Sequence, residues 1–339
     1  MKQEQLDART EIGQLAPGIA RAQLPIALPG LGHVNCYLLE DERGIAVVDP
    51  GLPGDEPWQH LTDRLAAAQV PLTRVHTIVV THSHPDHFGG AARLAEASGA
   101  QVVTHEHFGH TFELDVDDDL DEEQMAMRWQ RPTPWGGLSA GPPPEARARY
   151  LELHRRGHFF PSPTTRLRDA DTIRLAGRDW VAVHTPGHTS DHLCLFDPEH
   201  GAFLSGDHVL PTITPHIGAL RNIEDSLAAF FASLDKVAAL DDRTSIVLPA
   251  HGLEFTDLAG RAEEIKVHHE HRLQRLYEAG VELGRPAPVT EYSTHLFSAR
   301  AQGAMADSET YAHLEHLRLL GRAEVERQGE QLVFSMVGA

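Results

Sequence analysis

Apolar runs of strand length recur along the chain at intervals that alternate with helical spacing. Cys36-Tyr37-Leu38-Leu39 and Ile45-Ala46-Val47-Val48 belong to a set of alternating apolar strands in the first fifty residues. Val75-His76-Thr77-Ile78-Val79-Val80, Gln101-Val102-Val103-Thr104, Trp180-Val181-Ala182-Val183, Leu193-Cys194-Leu195-Phe196, Ala202-Phe203-Leu204-Ser205 and Ser245-Ile246-Val247-Leu248-Pro249-Ala250 continue the series. Helical periodicity covers residues 58–68, 91–98, 145–156 and 262–279. Repeated strand–helix alternation of this kind predicts two β-sheets covered by helices on both outer faces.

Several of these strands end in residues that ligate metals. The first motif, from Thr81 to Gly90, packs His82, His84, Asp86 and His87 into six residues behind a buried strand. A strand that ends in a turn points alternate residues into one cleft. His82 and His84 then face the same way, and Asp86 and His87 swing to the other side of Pro85. Neutral imidazoles and a carboxylate suit Zn²⁺ and similar transition metals, and this spacing offers two ligands to each of two neighbouring ions. Three later strands end alike, in His184-Thr185-Pro186-Gly187-His188, in Gly206-Asp207 and in His251-Gly252. Each candidate sits at a strand end, where a rigid scaffold holds a loop.

The ordered set H-x-H-x-D-H, T-P-G-H-T, G-D and A-H-G resembles the metallo-β-lactamase superfamily over roughly residues 15–260, and most of all its glyoxalase II-like branch. The resemblance implies an αββα sandwich and two divalent metal ions. One ion would take His82, His84 and His188, the second Asp86, His87 and His251, and Asp207 would bridge them. Asp49, in Val47-Val48-Asp49-Pro50-Gly51, would support a ligand from behind. β-Lactamases proper carry Cys or Ser at the bridging position, so Asp207 argues against antibiotic hydrolysis. Zinc is the default metal, with iron or manganese as alternatives at the carboxylate-richer second site. The implied chemistry is hydrolysis by a hydroxide shared between the ions, with Asp86 passing the proton. Asp191 and His192 follow His188 closely and serve either to orient a ligand or to hold structure. Cys194 lies in an apolar strand and reads as core.

Composition narrows the setting. The 339 residues suffice for one large domain and a smaller one. Two cysteines, Cys36 and Cys194, imply no disulfide framework. The polar start Met1-Lys2-Gln3-Glu4-Gln5 and the lack of a long apolar run suggest a cytoplasmic protein with no membrane span. Lys plus Arg number 29 against 49 Asp plus Glu, a net charge of −20 that repels phosphate backbones. Nucleic acid is therefore an unfavoured partner.

Residues 105–171 interrupt the rhythm and read as a lid-like insertion within a catalytic domain spanning 1–260. Its acidic run from Glu113 to Glu123 reads as a solvated face. Trp129, Trp135, Tyr150, Phe159 and Phe160 either line an apolar substrate pocket or pack the insertion onto the core. His105, His107, His110, His154 and His158 read as surface or core residues rather than ligands.

Residues 261–339 form a second, helical unit. Helical spacing at 262–279, 293–301 and 308–320 precedes a hairpin in which Arg322–Glu326 and Gln331–Ser335 flank Arg327-Gln328-Gly329-Glu330. Three helices and a terminal hairpin resemble a winged helix. The same arrangement follows the catalytic domain in the β-lactamase-like endoribonuclease subfamily, where the linking helix carries a His-to-Arg signature, here His268 and Arg272. The would-be recognition helix carries Asp307, Glu309 and Glu315 against Arg318, the wrong balance for a phosphate-facing surface. A packing, lid or dimerisation role fits better, so a homo-oligomer is possible. His268, His269 and His271 read as a solvated helix face.

Three function classes remain. The first is hydrolysis of an ester or thioester by an enzyme similar to hydroxyacylglutathione hydrolase, acting on a small-molecule acyl substrate. In that family Lys and Tyr residues after the bridging Asp bind glutathione, whereas residues 208–218 here contain neither. The second is phosphodiesterase or endoribonuclease activity, with lactone hydrolysis as a further alternative. The third is a non-catalytic binding module, the least compatible with an intact ligand set.

Overall fold

A computed structural model describes residues 2–28, 30–109, 130, 132–138, 141 and 144–338. The acidic run and Trp129 lie outside the described residues, as does His110.

Strands β1 (Gly13–Ala16), β2 (Ile19–Leu28), β3 (Leu31–Asp41), β4 (Gly44–Val48), β5 (Val75–Val79), β6 (Gln101–His105) and β7 (Thr165–Leu167) form one seven-stranded sheet in chain order. Pairing is antiparallel through β4 and parallel from β4 to β7. Strands β8 (Thr172–Leu175), β9 (Arg178–His184), β10 (Leu193–Asp197), β11 (Ala202–Gly206) and β12 (Ile246–Pro249) form the second sheet, in order β12-β11-β10-β9-β8.

The two-residue period of each strand sorts its side chains between two cores. On β3, Cys36 and Leu38 face the layer that contains Leu61 and Leu65 of α1 (Asp55–Ala67) and, beyond the short α2 (Pro85–Phe88), Leu94 of α3 (Ala91–Ser98). Tyr37 and Leu39 face the other way, into a central core with Val48, Val79, Trp180, Leu195 and Leu204 from both sheets. Both faces of the strand are buried, so its run is continuously apolar rather than alternating. Burying each such side chain contributes about 1.5–3 kcal/mol.

The outer face of the second sheet packs on helices. After α4 (Pro144–Arg155) of the insertion come α5 (Ser226–Ala238) and α6 (Leu258–Leu283). Sequence spacing overlooked α5, although Leu227, Phe230, Leu234 and Val237 recur at helical intervals and the Asp225 carboxylate caps its first turn through the Ala228 N–H at 2.9 Å. The same apolar cluster continues from Phe230 and Leu234 through Leu276 and Tyr292 to Phe334.

The C-terminal residues form α7 (Val289–Leu296), α8 (Ala304–Leu319) and a three-stranded sheet, β13 (Ala287–Pro288) beside β15 (Gln331–Met336) beside β14 (Ala323–Gln328). Helix α7 starts four residues before the expected 293, directly after Pro288, and stops at Phe297, which is extended. The hairpin turn is shorter than expected. Gln328 pairs with Gln331, leaving Gly329 and Glu330 to turn, with Gly329 at φ 63°. His269 also departs from expectation. It is fully buried and packs on His313 and Phe230, so that face of α6 is not solvated.

Phe159, Phe160 and Trp135 of residues 105–171 pack against other rings, whereas Tyr150 borders a surface cavity with Leu52, Pro53 and Arg149. Phe159 and Phe160 meet Phe88 with ring centroids 6.1 and 4.5 Å apart. Trp135 stands 5.6 Å from Tyr311, and its carbonyl accepts the Leu332 N–H at 2.9 Å. No described helix is long and apolar enough to cross a membrane.

Candidate metal centre

Strands β5, β9, β11 and β12 deliver their C-terminal loops to one cleft. Two of those turns depend on glycine. Gly187 holds φ 138° just before His188, and a β-carbon there would meet Phe230 at 2.5 Å. Gly206 holds φ 52° just before Asp207, and a β-carbon there would meet the His192 ring at 2.7 Å.

His82, His84, His188 and Asp207 offer one ligand atom each, all within 4.8 Å of one another. His84 Nδ1 lies 3.0 Å from His82 Nε2 and 3.1 Å from His188 Nε2. Asp86, His87 and His251 make a second such group. There Asp86 Oδ2 lies 3.5 Å from His87 Nε2 and 3.6 Å from His251 Nε2. Asp207 stands between the two groups. Its Oδ2 is 3.6 Å from both His188 Nε2 and His87 Nε2, and its Oδ1 is 3.3 Å from His251 Nε2.

The outward nitrogens of these rings are held by acceptors. His188 Nδ1–H donates to the His216 carbonyl at 2.7 Å, and His251 Nδ1–H to the His33 carbonyl at 2.6 Å. A carbonyl can only accept, so Nε2 of each ring keeps its lone pair toward the cleft. His87 Nδ1 faces Asp49 Oδ2 at 2.9 Å. Asp49 also accepts the Thr81 N–H and hydroxyl, at 2.9 and 2.8 Å. It does so at φ 52°, a left-handed conformation that costs a non-glycine residue about 1–3 kcal/mol. Asp191 accepts the Ser83 hydroxyl at 3.0 Å, bracing the loop between His82 and His84. His192 accepts the Asp207 backbone N–H at 3.0 Å.

Residues that sequence spacing missed are His33 and His216. Each contributes a backbone carbonyl, which no side-chain pattern announces.

The electrostatics match a cation site. Burial and neighbouring imidazoles hold His82 and His84 well below the usual range. Burial also opposes charge on His87, yet Asp86, Asp207 and Asp49 lift it well above that range. Asp207 stays well below the usual carboxylate range despite its burial, because His251 and His87 face it. Three buried atoms in the cleft, His87 Nε2, Asp207 Oδ1 and His251 Nε2, have no hydrogen-bond partner. Leaving each unmatched costs about 1–3 kcal/mol, and divalent cations between these donors would satisfy all three. Cys194 is buried, with its thiol pushed up to about 12 by that burial, and contributes no nucleophile.

A cavity of about 760 Å³ opens on the cleft, lined by Ser83, His84, His188, Thr189, Arg221 and Ser308 among others.

Two packed sheets with a histidine- and aspartate-rich cleft at their strand ends define a metal-dependent hydrolase. The model of the metallo-beta-lactamase superfamily matches residues 29–251, and the chain belongs to that superfamily. It is 27% identical over 310 residues to a probable metallo-hydrolase, YqjP, of Bacillus subtilis, covering 88% of this chain and 90% of that one. It is 29% identical over 236 residues to a hydroxyacylglutathione hydrolase of Albidiferax ferrireducens, covering 69% and 68%. The crystal structure of a metallo-beta-lactamase family protein from Thermus thermophilus superposes with a TM-score of 0.73 at 30% identity, covering 95% of this chain and all of the other.

Proposed function

We propose that the chain is a dinuclear hydrolase of small acyl esters or thioesters, in the manner of the glyoxalase II-like branch. The observation that carries this reading is Asp207, whose Oδ2 lies 3.6 Å from His188 of the first group and from His87 of the second, while its Oδ1 lies 3.3 Å from His251. His82, His84 and His188 would hold one ion, Asp86, His87 and His251 the other, and Asp207 both. Zinc suits the imidazole-rich first group, while iron or manganese could enter the second. Such ions, when bound, polarise a carbonyl oxygen and make a nucleophilic water available near neutral pH.

The chain's own residues supply orientation and proton handling. The carbonyls of His33 and His216 and the carboxylate of Asp49 fix which nitrogen of His251, His188 and His87 faces the cleft. Asp86 would take the proton of the attacking water and return it to the departing alkoxide or thiolate, so the products are a carboxylic acid and an alcohol or thiol. The hydroxyacylglutathione hydrolase relative supports an acyl thioester, while the absence of Lys and Tyr from residues 208–218 argues for a leaving group other than glutathione.

We further read residues 261–339 as a winged-helix-like unit that packs on the catalytic domain of residues 1–260. The element order helix, strand, helix, helix, strand, strand supports this. Two cations of its helices pair within the unit, Arg272 with Glu309 and Arg318 with Glu315, which speaks against a phosphate-binding surface.

The test is a panel of a neutral ester, an acyl thioester, a lactone and a phosphodiester, each assayed with the metal-loaded protein. Turnover confined to the acyl substrates is expected. Phosphodiester cleavage without acyl hydrolysis would overturn the reading.

A further inference from the structure

Among the described residues that line the cavity over the metal centre, a single side chain is permanently charged. The chain has 49 Asp plus Glu against 29 Lys plus Arg, yet this lining carries Arg221 and no Asp or Glu. Arg221 is exposed, and among the described residues its guanidinium makes no ion pair or hydrogen bond.

The fold fixes where Arg221 stands. It lies in the segment between β11 and α5, shortly after His216, whose carbonyl orients His188. That segment is fastened on both sides of Arg221. Before it, His216 Nε2–H donates to the Met305 carbonyl at 3.0 Å and the Ala219 N–H to Ser308 Oγ at 3.3 Å, both on α8. After it, the Ser226 hydroxyl donates to the Gly218 carbonyl at 2.7 Å. A second cavity of about 320 Å³ shares Pro134, Ala219, Leu220 and Arg221 with the first and continues over Ile223 and Tyr311. Arg221 therefore stands where the chamber beside His84 and His188 passes into a second groove. The first chamber alone, about 760 Å³, has room for far more than a minimal ester.

A guanidinium offers a planar fork of donors that matches a carboxylate or a phosphate. Glu224 and Glu315 border the second groove and discourage an anion from going further, so a negative group is best held at Arg221.

We propose that Arg221 is the specificity residue of this cavity and takes a carboxylate or phosphate that the substrate carries away from its scissile carbonyl. The inference rests on the acyl-hydrolase reading for the kind of substrate, and deepens it to an acyl ester or thioester with an anionic group.

Non-hydrolysable thioethers separate binding from turnover. S-hexylpantetheine is neutral, S-hexylphosphopantetheine carries a phosphate on the thiol side, and S-carboxyhexylpantetheine carries a carboxylate on the side of the acyl chain. Isothermal titration into the metal-loaded full-length chain, wild type beside Arg221→Gln, gives each affinity. Arg221 is exposed and unpaired among the described residues, so Arg221→Gln should melt at the wild-type temperature. The wild type should bind at least one anionic thioether about fivefold more tightly than the neutral one, the upper end for an exposed ion pair, and that ratio should fall to about one in Arg221→Gln. The preference should also shrink as salt is raised. Which anion is preferred tells which end of the substrate carries the charge. A neutral thioether bound as tightly as both anionic ones by the wild type, a preference kept intact in Arg221→Gln, or no binding of any of the three overturns the inference. Failure of the acyl-hydrolase reading shows separately, as absence of turnover on the corresponding thioesters.

Discussion

The Nδ1–H of His188 donates to the backbone carbonyl of His216 at 2.7 Å. The ring of His216 in turn reaches the carbonyl of Met305, in the first turn of α8, at 3.0 Å. The C-terminal unit is thereby tied to a candidate ligand through a single residue. His216→Ala removes the ring link and frees the loop that orients His188. We expect metal binding to weaken by about tenfold, as is usual when support behind a ligand is lost. Competition against a chromogenic chelator reads this, and an unchanged affinity would refute the link.

Asp49 supports the other half of the centre. Its carboxylate faces His87 and accepts two bonds from Thr81. Asp49→Asn keeps the side chain's shape and tolerates the left-handed backbone, but removes the charge behind His87. The expected outcome is about a 10- to 100-fold loss of metal affinity in a folded protein. Isothermal titration with Zn²⁺ would reveal it.

Asp191 gives a pH dependence. Burial raises its carboxyl to about 6, against the hydrogen bond from the Ser83 hydroxyl, which favours the charged form. An unfolded Asp titrates at about 3.9, so between about pH 4 and 6 the folded chain holds a proton that the unfolded chain has lost. This raised acid therefore stabilises the fold at low pH, and that contribution disappears as pH rises through the window. Relative to Asp191→Asn, wild-type stability should fall from pH 4 to 6 and stay level above 7. Denaturant melts at several pH values test this, and a flat difference across the window would contradict it.

Trp135 decides whether the insertion's aromatics build a pocket or hold the insertion down. Its ring packs near Tyr311 and its backbone bonds to β15. Trp135→Ala should lower stability by about 1–2 kcal/mol while leaving kcat/KM within about twofold. A large rise in KM with unchanged stability would return Trp135 to the substrate site.

How much was legible in the sequence depends on the kind of interaction. The strands around Val79, Val183, Leu204 and Leu248 were readable because each is an apolar run that stops at a polar turn. His82, His84, Asp86 and His87 were readable because ligand atoms are side-chain atoms at fixed spacing. The backbone supports were not, since His33 and His216 act through their carbonyls. His269 was misjudged because three histidines among four residues look polar, while its partner His313 comes from a helix 44 residues away. The start of α7 was missed because Pro288 marks it by what it forbids before the helix rather than by any periodicity within it.

The central claim is that Asp207 couples two metal-binding groups into one hydrolytic centre. The most direct measurement is thiol release from an acyl thioester by protein loaded with Zn²⁺, alongside Asp207→Ala, with bound metal counted in both. The account predicts two ions in the principal centre and turnover in the wild type, with turnover lost in Asp207→Ala together with at least part of the metal. Full activity in Asp207→Ala, or no acyl hydrolysis by wild-type protein holding both ions, would contradict it.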